Sequence, residues 1–209
     1  MKREPRGAMI ANLRDERGVT LAEVIIACSL TVILFTAVFG ALNSSMRSLN
    51  IQNEKVEAQD MAQTTILRME RELRQAQKPF LVVVGSPGVN ETLMFKADLN
   101  DDGTAEAVEY VYSGSTRQLI RVINSAGEFN FDTAPRDVMA KYVANSTSQP
   151  IFSYFGTDLT TPLDPTSPSS DIINKTRMVR VRLVIDKNGA RPPAAIDMST
   201  DIKLRNFAY

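Results

Sequence analysis

Two hydrophobic periods divide the chain. Val24 to Leu42 form nineteen consecutive positions without a charge or a proline. At about 1.5 Å per residue a helix of that length spans roughly 28 Å, close to the hydrocarbon thickness of a bilayer. After Leu42 the uniform run gives way to apolar residues at helical spacing: Met46, Leu49 and Val56, then Ala62, Ile66, Met69, Leu73 and Ala76. Arg68, Glu70, Arg71, Glu72 and Arg74 load the remaining sides. No proline lies between Pro5 and Pro79. The pattern therefore predicts one helix from about Val19 to Gln77, membrane-spanning over 19–42, amphipathic over 43–78 and ended by Pro79. Gly40 is its weak point, costing about 1 kcal/mol relative to alanine, and marks a site for bending or close packing. Asn53 and Asp60 interrupt any heptad seam, so a helix laid on a sheet fits better than a coiled-coil stalk.

From residue 79 to residue 209 the helical period gives way to short alternating runs. The expected strands are Phe80–Val84, Thr92–Ala97, Ala105–Tyr112, Gln118–Ile123, Ile151–Phe155, Met178–Ile185 and Asp197–Leu204. In the sixth, Val179, Val181, Leu183 and Ile185 share one face while Arg180 and Arg182 occupy the other. That alternation belongs to an antiparallel sheet with one wet side. A helix first and a sheet after it, with the helix as cover, is an α+β architecture. Gly156–Asp171 is rich in Pro, Ser and Thr and has no period, which predicts a surface loop and a candidate for partner contact.

Charge orients the chain. The first eighteen residues carry Lys2, Arg3, Arg6, Arg14 and Arg17 against Glu4, Asp15 and Glu16, a net of +2, whereas the 209 residues together sum to zero. Basic residues stay on the cytoplasmic side, so the N-terminus faces inward and the bulk of the chain outward. A plain secretory signal fits less well. Its apolar centre is shorter, roughly 7–15 residues, and Val38-Phe39-Gly40 makes a poor cleavage sequence. The overall balance gives no field that would attract nucleic acid.

Arg17-Gly18-Val19-Thr20-Leu21-Ala22-Glu23 resembles the prepilin peptidase site of the type IV filament superfamily, with Val19 where phenylalanine is commoner. The resemblance implies that residues 1–18 are a leader, cut between Gly18 and Val19, and that the new N-terminus on Val19 is methylated. It implies that Thr20 and Leu21 belong to the recognition motif. It also gives Glu23 a partner, the free ammonium on Val19 of a neighbouring subunit. A carboxylate at the edge of a membrane segment is costly, and that pairing offsets its desolvation while penalising a wrong axial register. An interfacial Glu that merely marks the end of the span is the plainer alternative. Ile66–Gln77 is similar, more diffusely, to the helix of J-type and W-type minor pilin subunits.

Elsewhere the chemistry is sparse. There is no His and no Trp, and the one cysteine, Cys28, lies in the most apolar stretch. Imidazole acid–base work, Ser/His triads and intramolecular disulfides are thereby excluded. The one metal-like spacing runs from Asp98 through Asn100 and Asp102 to Gly103 and Glu109, as in a calcium loop. Its flanks look like strands, so the preferred reading is a hairpin turn, with a partial calcium site at Asp98, Asn100 and Asp102 as the lesser one. No other cofactor is expected.

The expectation is a structural subunit rather than an enzyme: a minor pilin or pseudopilin of a type IV pilus or type II secretion pseudopilus. It would wait in the bacterial inner membrane with its head in the periplasm, then join the filament. Its partners would be other pilin or pseudopilin subunits, the prepilin peptidase, the assembly platform, and lipid before assembly. A single-pass anchored binding or sensory domain that never assembles is the alternative, and a membrane-tethered enzyme a distant third.

Overall fold

The computed structural model describes residues 18–86, 88–164, 172, 174–189, 191 and 193–204, with backbone alone at 78–86. The expected leader ahead of Gly18 and the latter part of the Gly156–Asp171 loop lie outside the described residues. Helix α1 runs Leu21–Arg74 and is followed by eight strands. The chain divides after Ser48 into two units.

In the first unit α1 is long and apolar enough to cross a membrane, and none of that window is buried within the chain. Three hydroxyls interrupt the hydrocarbon, and each returns to a carbonyl one turn back. Ser29 Oγ donates to Ile25 O, Thr31 Oγ1 to Ala27 O and Thr36 Oγ1 to Val32 O, at 2.7–2.8 Å. Back-bonding of this kind hides the hydroxyls from an apolar solvent. The helix passes through Gly40 unbroken, and nothing lies within 4 Å of where a Cβ would sit.

In the second unit the buried face of α1 begins at Ala58 and continues through Ala62, Ile66, Met69 and Leu73. Leu49 and Val56, expected on the same stripe, are instead more than half exposed. Polar contacts hold this part of the helix: Glu57 pairs with Lys187 at 2.6 Å and Glu54 accepts from Asn188. The helix ends earlier than Pro79 would require. Gln75 and Ala76 donate back to Glu72 O and Leu73 O, the tight final turn that closes many helices. Strand β1 (Gln77–Ser86) starts at once. Pro79 sits inside that edge strand, within a register irregularity between Gln77 and Leu81, where a missing N–H is tolerated.

Two antiparallel sheets replace the single one expected. β1, β2 (Asn90–Ala97), β3 (Glu106–Ser113), β4 (Gln118–Asn124) and β5 (Arg136–Lys141) form a five-stranded meander in sequence order. β6 (Phe152–Phe155), β7 (Met178–Ile185) and β8 (Ile196–Lys203) form the second sheet. Six of the seven expected strands overlap observed ones within two residues, and the first lies inside the longer β1. β5 was missed because only Met139 and Ala140 of its six residues turn inward, so it has no apolar alternation.

One core joins α1 to both sheets, with Met69, Leu73, Phe95, Tyr110, Leu183 and Ile185 among its largest members. The wet side of β7 is as expected: Arg180 and Arg182 make two-pronged ion pairs with Asp201 and Asp197 of β8. The outer face of the first sheet is drier than the pattern implied. Phe131, with Phe129 and Ala134, packs over Ala107, Val122 and Met94 as a small second cluster. Asn124 organises that cover by donating to Glu128 O and Asn130 O.

Candidate functional site

The segment from Gly18 to Glu23 is solvent-exposed throughout. Thr20 is the residue before the helix, and its backbone carbonyl accepts from Val24 N–H, the first bond of the helical ladder. Glu23 Oε2 accepts from both Thr20 N–H and Thr20 Oγ1–H at 3.0 Å, while Thr20 Oγ1 accepts from Glu23 N–H at 3.3 Å. This reciprocal arrangement is a capping box. It satisfies donors that a helix start leaves open and sets a carboxylate against the positive end of the helix dipole. The sequence reading gave Glu23 only an intermolecular or interfacial role. The Thr-x-x-Glu spacing ahead of an apolar run was the signal for the local one. A Cβ at Gly18 would have nothing within 4 Å, so no contact among the described residues requires a glycine there.

No family model and no curated protein matches this chain. Its own geometry therefore carries the functional argument.

Three glutamates are buried among the described residues of the second unit: Glu72, Glu91 and Glu106, the last accepting from Leu99 N–H at 2.9 Å. Glu72, expected on the wet side of α1, is 5% exposed. Arg121 of β4 holds it with two prongs, Nε to Oε2 and Nη2 to Oε1, each at 2.9 Å. Tyr110 Oη donates to Oε2, and Arg68 Nε reaches Oε1 at 3.3 Å while its Nη1 pairs with Asp137 of β5. Burial and the adjacent Glu72 charge hold the Tyr110 hydroxyl well above its ordinary range, so it stays a donor. The signal for Glu72 was present: Thr65, Met69, Glu72 and Ala76 recur at 4, 3 and 4, the spacing of the buried stripe itself.

Glu91 has no cationic partner among the described residues. Three backbone N–H groups surround it: Gly88 at 2.6 Å and Ile151 and Phe152 at 2.9 Å each. It thereby ties the β1–β2 turn to the start of β6. Glu91 shares the inward parity of Leu93, Phe95 and Ala97, but the expected strand began one residue too late to include it. Gly88, at φ +70°, is required by the same joint, since a Cβ would meet Ser146 O at 1.9 Å. Burial pushes the Glu91 carboxyl above the usual range, and the three amides only partly oppose it. A raised folded-state value means that the Glu91 contribution is fully present below the unfolded value and is lost as pH rises through the folded one. The urea-unfolding free energy of the wild type should therefore gain less between about pH 4 and 7 than that of Glu91→Gln. At the acid end Glu91→Gln should be less stable by about 1–3 kcal/mol, because its amide turns a donor toward backbone donors. Identical pH slopes for the two proteins would refute this account.

The Asp98–Glu109 stretch is a β2–β3 hairpin. Asp98 Oδ2 accepts from Gly103 N–H, Asn100 Oδ1 from Asp102 N–H, and Asp102 Oδ1 from Thr104 N–H. Asn100 also donates to Asp102 Oδ2. The oxygens that a cation would need are engaged in the turn, apart from Asp98 Oδ1, which is buried without a partner. Glu109 stands within β3, opposite Met94 and Val122. No group of three His, Cys, Asp or Glu residues able to hold a metal occurs among the described residues. Calorimetry of the protein in detergent should give no binding heat with millimolar calcium. Saturable heat abolished by Asp98→Asn would reinstate the cation site.

Proposed function

We propose that the chain is a pilin-like subunit, matured by cleavage between Gly18 and Val19 and assembled through its apolar helix into a pilus or secretion pseudopilus. One observation carries this reading. A Gly-Val-Thr-Leu-Ala-Glu segment stands fully exposed at the start of a membrane-length helix whose apolar window is uncovered among the described residues. A glycine that the fold does not require is what a peptidase reading the extended backbone would require. The exposed hydrocarbon suits lipid before assembly and neighbouring helices afterward. The α+β head, with its amphipathic helix packed on antiparallel sheets, agrees with the minor pilin or pseudopilin class.

Thr20 and Glu23 then have two successive duties. Within the single subunit they cap the helix. In the filament Glu23 exchanges the Thr20 hydroxyl for the Val19 ammonium of a neighbour. Intact-mass measurement of the protein extracted from its host's membranes tests the proposal. The expected mass is that of residues 19–209 with one added methyl group. A full-length chain would instead favour an anchored domain that never assembles.

A further inference from the structure

Beside the Glu72 cluster lies an open groove of about 550 Å³ lined by Leu67, Arg68, Arg71, Glu72, Leu99 and Arg121. Neighbouring carboxylates account for two of its three guanidiniums: Arg121 is held by Glu72, and Arg68 is shared between Glu72 and Asp137. Arg71 is exposed and pairs with no carboxylate among the described residues. Leu67, also in the groove, is 54% exposed. The groove thus presents an uncompensated cation next to uncovered apolar surface.

The matching charge lies on the same patch. Leu99, one wall of the groove, belongs to the acidic β2–β3 turn that carries Asp101. Asp101 is exposed at φ +59° and, unlike Asp98 and Asp102, accepts no hydrogen bond from the turn. A surface holding an unpaired cation in a recess and an unpaired anion on the adjoining turn is complementary to itself. Self-complementarity is the condition that a two-fold interface must meet.

We propose that the groove is a homotypic docking surface, in which the Asp101 turn of a second copy enters the groove and its carboxylate meets Arg71, reciprocally across a two-fold axis. The pairing does not depend on cleavage at Gly18, so it is tested on the uncut chain and stands or falls separately from the filament reading.

The single cysteine makes the test direct. In a Cys28→Ser background, Arg71→Cys and Asp101→Cys are co-expressed as full chains, and the membranes are treated with a mild copper oxidant. A mixed disulfide dimer is expected at several times the yield given by Arg71→Cys with a cysteine at exposed Thr160. Equal yields from the two pairs would overturn the proposal. Charge reversal supplies the second arm, read as dimer fraction by sedimentation in detergent. Arg71→Glu and Asp101→Arg should each reduce the dimer several-fold, and the two combined in one chain should restore it. A double variant no better than the single ones, or a wild type that stays monomeric in both detergent and membranes, would also overturn it.

Discussion

Glu23→Val should enter the membrane, be cut after Gly18 and still be recovered in filaments at a small fraction of the wild-type level when both are expressed together. Removing the carboxylate makes insertion easier, because an acidic residue costs about 2.5–3.5 kcal/mol at the centre of a span and less near its end. Losing the capping box costs about 0.5–2 kcal/mol at the first turn of α1. Neither effect would keep a helix of this length from forming or crossing the bilayer. The defect should come from docking, where the Val19 ammonium of the neighbour would be left in an apolar surround without its counter-charge. Thr20→Val separates the capping role of Glu23 from the proposed docking one. It breaks the box, since Thr20 Oγ1 both donates to and accepts from Glu23, yet keeps the carboxylate, so cleaved subunits should assemble close to normally. Immunoblots of sheared filaments, with mass measurement to confirm cleavage, read both variants. Wild-type incorporation of Glu23→Val would leave the residue with its capping role alone.

The largest stability effect belongs to Glu72. Glu72→Ala should destabilise the head by about 3–5 kcal/mol, because it leaves the Arg121 guanidinium, 9% exposed, without its two-pronged partner. It also strips the buried Tyr110 hydroxyl of its acceptor. The loss should come mainly from the orphaned charge rather than from the attraction removed. Glu72→Leu combined with Arg121→Met should therefore recover much of the stability, since replacing a buried ion pair by apolar side chains is often neutral. Urea unfolding followed by circular dichroism gives both values. A double variant as unstable as Glu72→Ala would show that the orphaned Arg121 charge is not the main loss.

Most of the fold could be read from periodicity alone, because the side chains that build it repeat. The span from Val24 to Leu42, the stripe from Ala62 to Leu73 and the alternation in β7 each repeat their signal several times. The misreadings fall where a single residue breaks the local pattern for a tertiary reason. Glu72 and Glu91 occupy inward positions by spacing but are charged, and only the donors brought by β4 and β6 explain them. β5 lacked a pattern because it is a polar edge strand beneath the helix, touched through Met61 and Thr65. Pro79 was weighted as a helix stop, whereas the chain had already turned at Ala76 and used the proline in an edge strand. At Gly18–Glu23 the resemblance drew attention to an intermolecular role, while the Thr-x-x-Glu spacing already carried the local one: Thr20 and Glu23 complete a cap within one chain.

The returned hydroxyls of Ser29, Thr31 and Thr36 have a consequence for packing. With each turned back onto its own backbone, the stretch between Val24 and Leu42 offers an adjacent rod little but hydrocarbon surface and the Cys28 thiol, and such surface distinguishes poorly among angular orientations or sliding offsets. Were such rods to pack side by side as proposed, their alignment would fall to the groups just ahead of Val24 and to whatever lies past Leu42.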